Sequence, residues 1–286
     1  MKISQKSIGW ALILSSAILL LLTSLGQWFG AGSYKSNPPR SWAPDHWERF
    51  DPALVKKTPD LDSLYRAAEA RAPGPLNTLP PKEAMKFLYE TTADRFTHAS
   101  TADHNIFSNW ILAAMRILHP EFAQIGDADA LLRNGYSAYC SQVSFILLKL
   151  AEKAGIRPRH VGLSGHVVME AWYDDDWHLY DPDLEIAPED ENGSIFSVDD
   201  LSRDINLALA AYAERGVESY VKEIAGVIAS REDNTFMSYP VGSHFIWKKQ
   251  VVALLEKAAE VLKFVIPILT ALVGIAILSK SLRRTV

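Results

Sequence analysis

The chain lacks a second cysteine. Cys140 is the only one in 286 residues, so no disulfide can close within the chain, and the lone thiol serves either packing or reactivity. Several signatures of large function classes are missing as well. There is no glycine-rich phosphate loop to support nucleotide binding and no His-Glu-x-x-His run to support a zinc hydrolase. Positive charge is scarce: 29 Lys and Arg stand against 34 Asp and Glu. That acidic balance speaks against nucleic acid as a partner. Internal repeats and low-complexity tracts are also absent.

Apolar runs, by contrast, are plentiful. Residues 7–34 carry no charge, and their core, 8–29, is long enough to cross a bilayer at about 1.5 Å per residue. A second uncharged run, 264–278, is short alone, but Val261, Leu262 and a snorkelling Lys263 extend it. Pro267 is expected to kink it. Lys2 and Lys6 precede the first run, and Lys280, Arg283 and Arg284 follow the second. The positive-inside rule then places both termini in the cytoplasm and the rest across the membrane, a pattern that fits a bacterial inner membrane with a periplasmic domain. Setting those five cations aside leaves 24 of the 29 Lys and Arg against the 34 acids, so the intervening part is the acidic one. The competing readings are a cleaved signal peptide for the first run and a buried core helix for the second.

These runs divide the chain into an anchor at 1–30, a linker at 31–60 that includes Asn37-Pro38-Pro39-Arg40, a domain at 61–187, a helical extension at 188–247, and a helix leading into the second span at 248–286. Helical periodicity runs over 61–72 and 82–95, and again over 105–118, where Ile106, Trp110, Ala113, Ala114 and Ile117 are predicted to face a core and His119-Pro120 to close the helix. A turn at 134–137 offers Ser137 as an N-cap for a helix over 138–154, with an inward stripe of Val143, Ile146, Leu147, Leu150 and Ala154. Strands are predicted at 159–163, 166–173 and 177–181. Helices over 198–215 and 219–230 follow, then a polar break around Asp233-Asn234 and Tyr239-Pro240, then a helix from 245 into the second span.

Asp174-Asp175-Asp176 reads as a hairpin turn. It lacks the glycine and distal glutamate of a calcium loop. With Asp174 and Asp175 at the tip, Tyr173 opposes Asp176, and His166 falls opposite Asp183 with Asp181 two residues along. A one-residue slip brings His166 to Asp181 itself. In either register an imidazole and a carboxylate meet at the open end of the hairpin. Cys140, expected about the third residue of its helix, lies on the inward face and within reach of the positive helix end. A thiol, an imidazole and a carboxylate so arranged make a nucleophile, a base and an orienter. His166 would pair with the thiolate and Asp181 would fix the imidazole. The Cys140 N–H would serve as one oxyanion donor, with Asn109, Trp110 or Tyr136 as sources of a second. The alternative is that Cys140 is simply a small residue packed against the sheet.

Tyr-Cys-Ser-Gln opening a helix, Gly155-Ile156 after it, Arg159 before a strand, Gly-His-Val-Val-Met-Glu-Ala-Trp, and Trp-His-Leu-Tyr-Asp-Pro-Asp together resemble the transglutaminase-like superfamily over residues 134–185. The resemblance implies an α+β, papain-like core of a helix on a small antiparallel sheet, with extra helices and two transmembrane helices added in this chain. It also implies a Cys140, His166, Asp181 triad acting on amide or peptide bonds, by hydrolysis or acyl transfer, through an acyl-thioester. The separation of 26 residues between the thiol and the imidazole is short for the family. The family also includes inactive members, so a binding or scaffold module of an envelope complex is the second reading. A protein or peptide substrate is implied, with no cofactor and no metal.

Other polar residues have duller readings. His178 points away from Asp181 and reads as a surface or core histidine. Glu170 suits an ion pair with Arg159. His98 and His104 have a loose spacing that does not make a metal site by itself.

Overall fold

The computed structural model describes residues 4–28, 47–98, 104–118, 122, 124–216, 218–231, 234–238 and 244–283. The expectations placed on Lys2, Arg284, Asn37-Pro38-Pro39-Arg40, His119-Pro120, Asp233 and Tyr239-Pro240 lie outside these residues. In chain order the elements are α1 (Gln5–Trp28), α2 (Pro52–Lys57), α3 (Leu61–Glu69), α4 (Pro81–Arg95), β1 (Thr97–His98), α5 (Ile106–Met115), α6 (Ala128–Asn134), β2 (Ser137–Ala138), α7 (Cys140–Lys153), β3 (Arg157–Gly162), β4 (Val167–Tyr173), β5 (Asp176–Tyr180), α8 (Val198–Arg203), α9 (Ile205–Tyr212), α10 (Glu218–Ala229), β6 (Thr235–Ser238) and α11 (His244–Arg283). The fold is α+β. It separates into one unit of residues 1–34, 102–127 and 250–286, and another of 35–101 and 128–249. Residues 102–127 therefore go with the two apolar segments, not with the domain expected at 61–187.

In the second unit the sheet runs β5-β4-β3-β6, antiparallel throughout. The hairpin register is the one read from the turn: Tyr173 opposes Asp176, and Trp172 opposes Trp177. Asp174 and Asp175 both take positive φ, 49° and 60°, which is the twist-matched geometry of a two-residue hairpin turn. β6 has no counterpart among the expected strands. It occupies part of the predicted polar break and pairs with β3. The expected inward stripe of α7 is buried, from Val143 through Ile146, Leu147 and Leu150 to Ala154. α7 lies against β3 and β4 and beside α3 and α4. The Ser144 hydroxyl donates to the Val167 carbonyl at 3.1 Å, which pins the helix to β4. Val161, Val168 and Leu179 of the sheet share a core with Val198, Leu201, Ala208, Tyr212, Ile224 and Ile228 from α8, α9 and α10. The helix predicted over 198–215 breaks at Asp204, whose carboxylate instead caps α9 through the Asn206 N–H.

The other unit holds two helical segments long and apolar enough to cross a membrane, Gln5–Trp28 and Val251–Arg283, each with an 18-residue stretch of high mean hydropathy, 2.2 and 2.5. They run antiparallel. Gly9 meets Leu278 and the Gly274 backbone, while Gly274 meets Leu12 and Ile13. Small residues at such a crossing let two helices approach closely where water supplies no driving force. α5 departs from expectation. Its chain leaves helical geometry at Asn109 (φ −157°, ψ 98°), and Asn109 Oδ1 caps the next turn by accepting the Ile111 and Leu112 N–H groups. The kink changes the helical phase, so Ser108, Asn109 and Leu112 are buried while Ile106 and Ile117 are exposed.

Lys263 does not snorkel. It is 2% exposed, and its ammonium donates to Glu260 at 2.7 Å and to the Ser108 carbonyl at 3.0 Å. Pro267 lies four residues further along α11 and has no N–H to offer the Lys263 carbonyl. The Trp110 indole N–H takes that place at 3.1 Å.

Candidate active site

Three neighbouring pieces of backbone set the site. The first is the parallel pairing of β1 with β2, Thr97 with Ser137 and His98 with Ala138, supported by the Thr97 N–H to the Tyr136 carbonyl at 2.9 Å. This pairing keeps Ser137 extended, so it does not cap the helix as expected. Tyr139 takes the capping position, its N–H donating to Gln142 Oε1 at 2.9 Å. Cys140 is consequently the first residue of α7, not the third. Its N–H is among those that a helix start leaves without an intrahelical acceptor.

The second piece is the bend into β4. Gly165 has φ 101°, a conformation a side chain rarely tolerates, and the Leu163 N–H donates to the His166 carbonyl at 2.8 Å. The bend aims the His166 ring inward, where it is 4% exposed. The third is the turn after β5. Asp181 and Ile186 exchange both backbone hydrogen bonds, at 2.7 and 2.9 Å. Asp181 Oδ1 accepts the Asp183 and Leu184 N–H groups, each at 3.1 Å.

These three pieces bring the predicted triad together. His166 Nε2 lies 2.7 Å from Asp181 Oδ2, which leaves Nδ1 for the thiol. Cys140 Sγ, a His166 ring nitrogen and an Asp183 carboxylate oxygen lie within 4.8 Å of one another. Cys140 is partly exposed, whereas Asp181 is fully buried. Burial opposes an imidazolium at His166, but the charge and hydrogen bond of Asp181, with the contact to Cys140, outweigh it and hold the ring well above the usual histidine range. Burial likewise opposes ionisation of Asp181. The His166 charge, the Leu184 N–H and the Tyr212 hydroxyl, which donates to Oδ2 at 3.1 Å, hold it below the usual carboxylate range.

Asp183, which the hairpin register placed opposite His166, brings a carboxylate oxygen within 4.8 Å of both the sulfur and a His166 ring nitrogen. Its Oδ2 is 3.2 Å from His98 Nδ1, and that hydrogen bond raises His98 against the effect of its burial. Nothing local in the sequence marks His98 as a site residue, because only the two-residue β1–β2 pairing brings it in. Tyr212 could be read only as part of an apolar helix face.

Asn109 and Trp110 belong to the first unit, where their side chains bond Glu260 and the Lys263 carbonyl. Tyr136 keeps its place in the second unit, its carbonyl held by Thr97. Glu170 pairs with Arg159 at 2.5 Å and accepts the Val198 N–H at 2.8 Å, a structural role as read. His178 is buried, with its ring nitrogens against the carbonyls of Ile195 and Tyr173. His104 bonds Glu256 at 2.9 Å within the first unit, so the histidines considered as a pair serve different partners. No family model, no curated protein and no solved structure matches this chain.

Proposed function

We propose that the chain is a membrane-tethered thiol enzyme of transglutaminase-like, papain-like type that acts on an amide or peptide bond. The observation carrying this reading is the 2.7 Å contact between His166 Nε2 and Asp181, with the other ring nitrogen left to a thiol at the first residue of a helix. In this reading His166 takes the proton of Cys140 and the sulfur attacks the carbonyl carbon. The Cys140 N–H, unpaired within the helix, donates to the developing oxyanion. The C–N bond then breaks, His166 returns the proton to the leaving amine, and an acyl-thioester remains. Water releases the acid; a substrate amine in place of water gives transfer. Hydrolysis is the simpler default because it needs no second substrate site. Asp181, charged and clamped by two N–H groups and the Tyr212 hydroxyl, orients the ring and stabilises its charged form. The two apolar helices anchor the domain, and the flanking cations support a location outside the cytoplasm of a bacterial cell.

Iodoacetamide labelling tests the reading. Cys140 should alkylate rapidly near neutral pH in the presence of a chelator, and His166→Ala should slow the labelling at least tenfold. Labelling as slow as that of an ordinary buried thiol, and indifferent to His166→Ala, would instead support a scaffold module that keeps the fold without the chemistry.

A further inference from the structure

The acyl-transfer scheme leaves Asp183 without a role. A carboxylate near the reacting sulfur opposes a thiolate, since like charges at this distance repel. Yet Asp183 is only 8% exposed, and both its backbone and its side chain are fixed. Its N–H donates to Asp181, and its Oδ2 lies against His98 Nδ1. Two acidic donors and one imidazole lie within 4.8 Å of one another, an arrangement that one cation can hold.

We propose that Cys140, His166 and Asp183 form a binding site for one divalent transition-metal ion of the zinc type, with a fourth position open to solvent on the sulfur side. The donor set has the right chemistry. Thiolate sulfur, imidazole nitrogen and carboxylate oxygen are the three protein ligand types that zinc takes, and three of them plus one open position is the pattern of an exchangeable or catalytic site, as opposed to a closed structural one. The charges balance, because thiolate and carboxylate neutralise a doubly charged ion while the imidazole stays neutral. The geometry is close to assembled. Tetrahedral zinc with bonds of about 2.0–2.3 Å holds its ligand atoms roughly 3.3–3.8 Å apart. The three atoms here already lie within 4.8 Å of one another, so side-chain adjustment of about 1 Å closes the site.

The surroundings fit as well. A metal-bound histidine ordinarily gives its other ring N–H to a carboxylate, which orients the ring and strengthens the ligand. His166 makes that bond to Asp181 through Nε2, and Nδ1 remains for the ion. His98 does the same for the Asp183 carboxylate. Among the described residues this is one group of three donors from three separate segments, α7, the bend before β4 and the turn after β5. Its spacing therefore matches no short metal motif. The site goes beyond the acyl-transfer reading and does not need it. Where both hold, a metal-bound sulfur is unavailable for attack, so the ion and the amide substrate exclude one another.

The test uses the full chain in detergent, stripped with a chelator that is then removed, and titrated with Co2+ as the spectroscopic stand-in. One equivalent should bind, with a thiolate-to-metal charge-transfer band and visible bands of four-coordinate intensity, and Zn2+ should displace it. Cys140→Ser should abolish the charge-transfer band. Asp183→Asn should weaken binding at least tenfold, and Asp181→Asn, acting through His166, by about 10–100-fold. With no substitution at all, Zn2+ should protect Cys140 from iodoacetamide. The site is overturned if no saturable single equivalent binds, or if Asp183→Asn binds as the parent does. Rapid alkylation in chelator with no cobalt spectrum would remove the metal site and leave the thiol enzyme standing. A cobalt spectrum with slow, His166-independent alkylation would do the reverse.

Discussion

Arg95 shows how much one side chain outside the triad contributes to the site. It is fully buried, and among the described residues no carboxylate pairs with it. Its guanidinium donates to Thr58 Oγ1 at 2.9 Å, the Gly135 carbonyl at 2.8 Å and the Leu132 carbonyl at 2.6 Å. The last two belong to the segment that leads to Cys140, so Arg95 holds the approach to the nucleophile. Burial pulls the group down to about 9, a measure of how costly its charge is there. Lysine lacks the planar fork needed for three fixed bonds. Arg95→Lys should therefore destabilise the protein by about 2–4 kcal/mol, read as a lower unfolding midpoint in detergent. Cys140 alkylation should slow as well, and an unchanged rate would show that the approach tolerates the change. The triad itself carries a pH signature. His166 is raised, so its contribution to stability is complete below the ordinary histidine value and is lost as pH rises through the raised one. Asp181 is lowered, so its contribution is present above the ordinary carboxylate value and is lost as pH falls through the lowered one. Between those limits the charged pair persists. Asp181→Asn weakens what keeps the ring protonated and so the thiolate–imidazolium pair; Cys140 alkylation, measured in chelator, should then be slower near neutral pH and rise steeply with pH where the parent profile is flat.

At the scale of elements, legibility follows the strength of the local pattern. The β4–β5 hairpin can be registered residue by residue because a two-residue turn leaves no freedom once the tip is placed. Its turn also offers a test. Asp174 and Asp175 are held at positive φ, where Asn-Gly is the better pair. The double substitution Asp174→Asn, Asp175→Gly should raise the unfolding free energy by about 0.5–1 kcal/mol and leave alkylation unchanged. β6 escapes the sequence because it is only four residues long and gains its pairing from β3, far away in the chain. The 198–215 segment reads as one helix because its apolar period survives the break, although Asp204 is a capping residue and marks it. The phase of α5 is hidden because Asn109 recaps the chain in the middle of a mostly apolar helix. Of the site, Cys140, His166 and Asp181 are legible from order and register. His98 is not, since a two-residue parallel pairing leaves no periodicity to read. α5 and α11 share one further dependence. The Trp110 indole replaces the N–H that Pro267 denies the Lys263 carbonyl. Trp110→Phe should cost about 1–2 kcal/mol beyond its lost contacts. In a Pro267→Ala background, where the new backbone N–H restores the helical bond, that excess should vanish. A double-mutant cycle on thermal unfolding in detergent would read the coupling, and additive losses would show that the indole bond carries no weight.

For the whole molecule, the consequence rests on two glycines. A methyl group on Gly9 would come within 2.7 Å of Leu278 Cγ, and one on Gly274 within 2.9 Å of the Gly9 carbonyl oxygen. Both are closer than real contacts allow, and the second meets backbone that cannot rotate away. Because α1 and α11 cross antiparallel through these residues, two spanning helices would carry residue 5 and residue 283 to one membrane face. The chain between them would emerge at the other. In the proposed orientation Lys6, Lys280 and Arg283 mark the cytoplasmic face. A phosphatase reporter inserted near Asp190 should be active in a bacterial host, and the same reporter placed after residue 286 should be silent. Gly274→Leu should leave that polarity unchanged, since charge sets orientation, while loosening the helix pair and lowering the unfolding midpoint in detergent. An inactive reporter near Asp190 would reverse the orientation and place the thiol in the reducing cytoplasm. An unchanged midpoint in Gly274→Leu would mean that the two helices do not depend on one another.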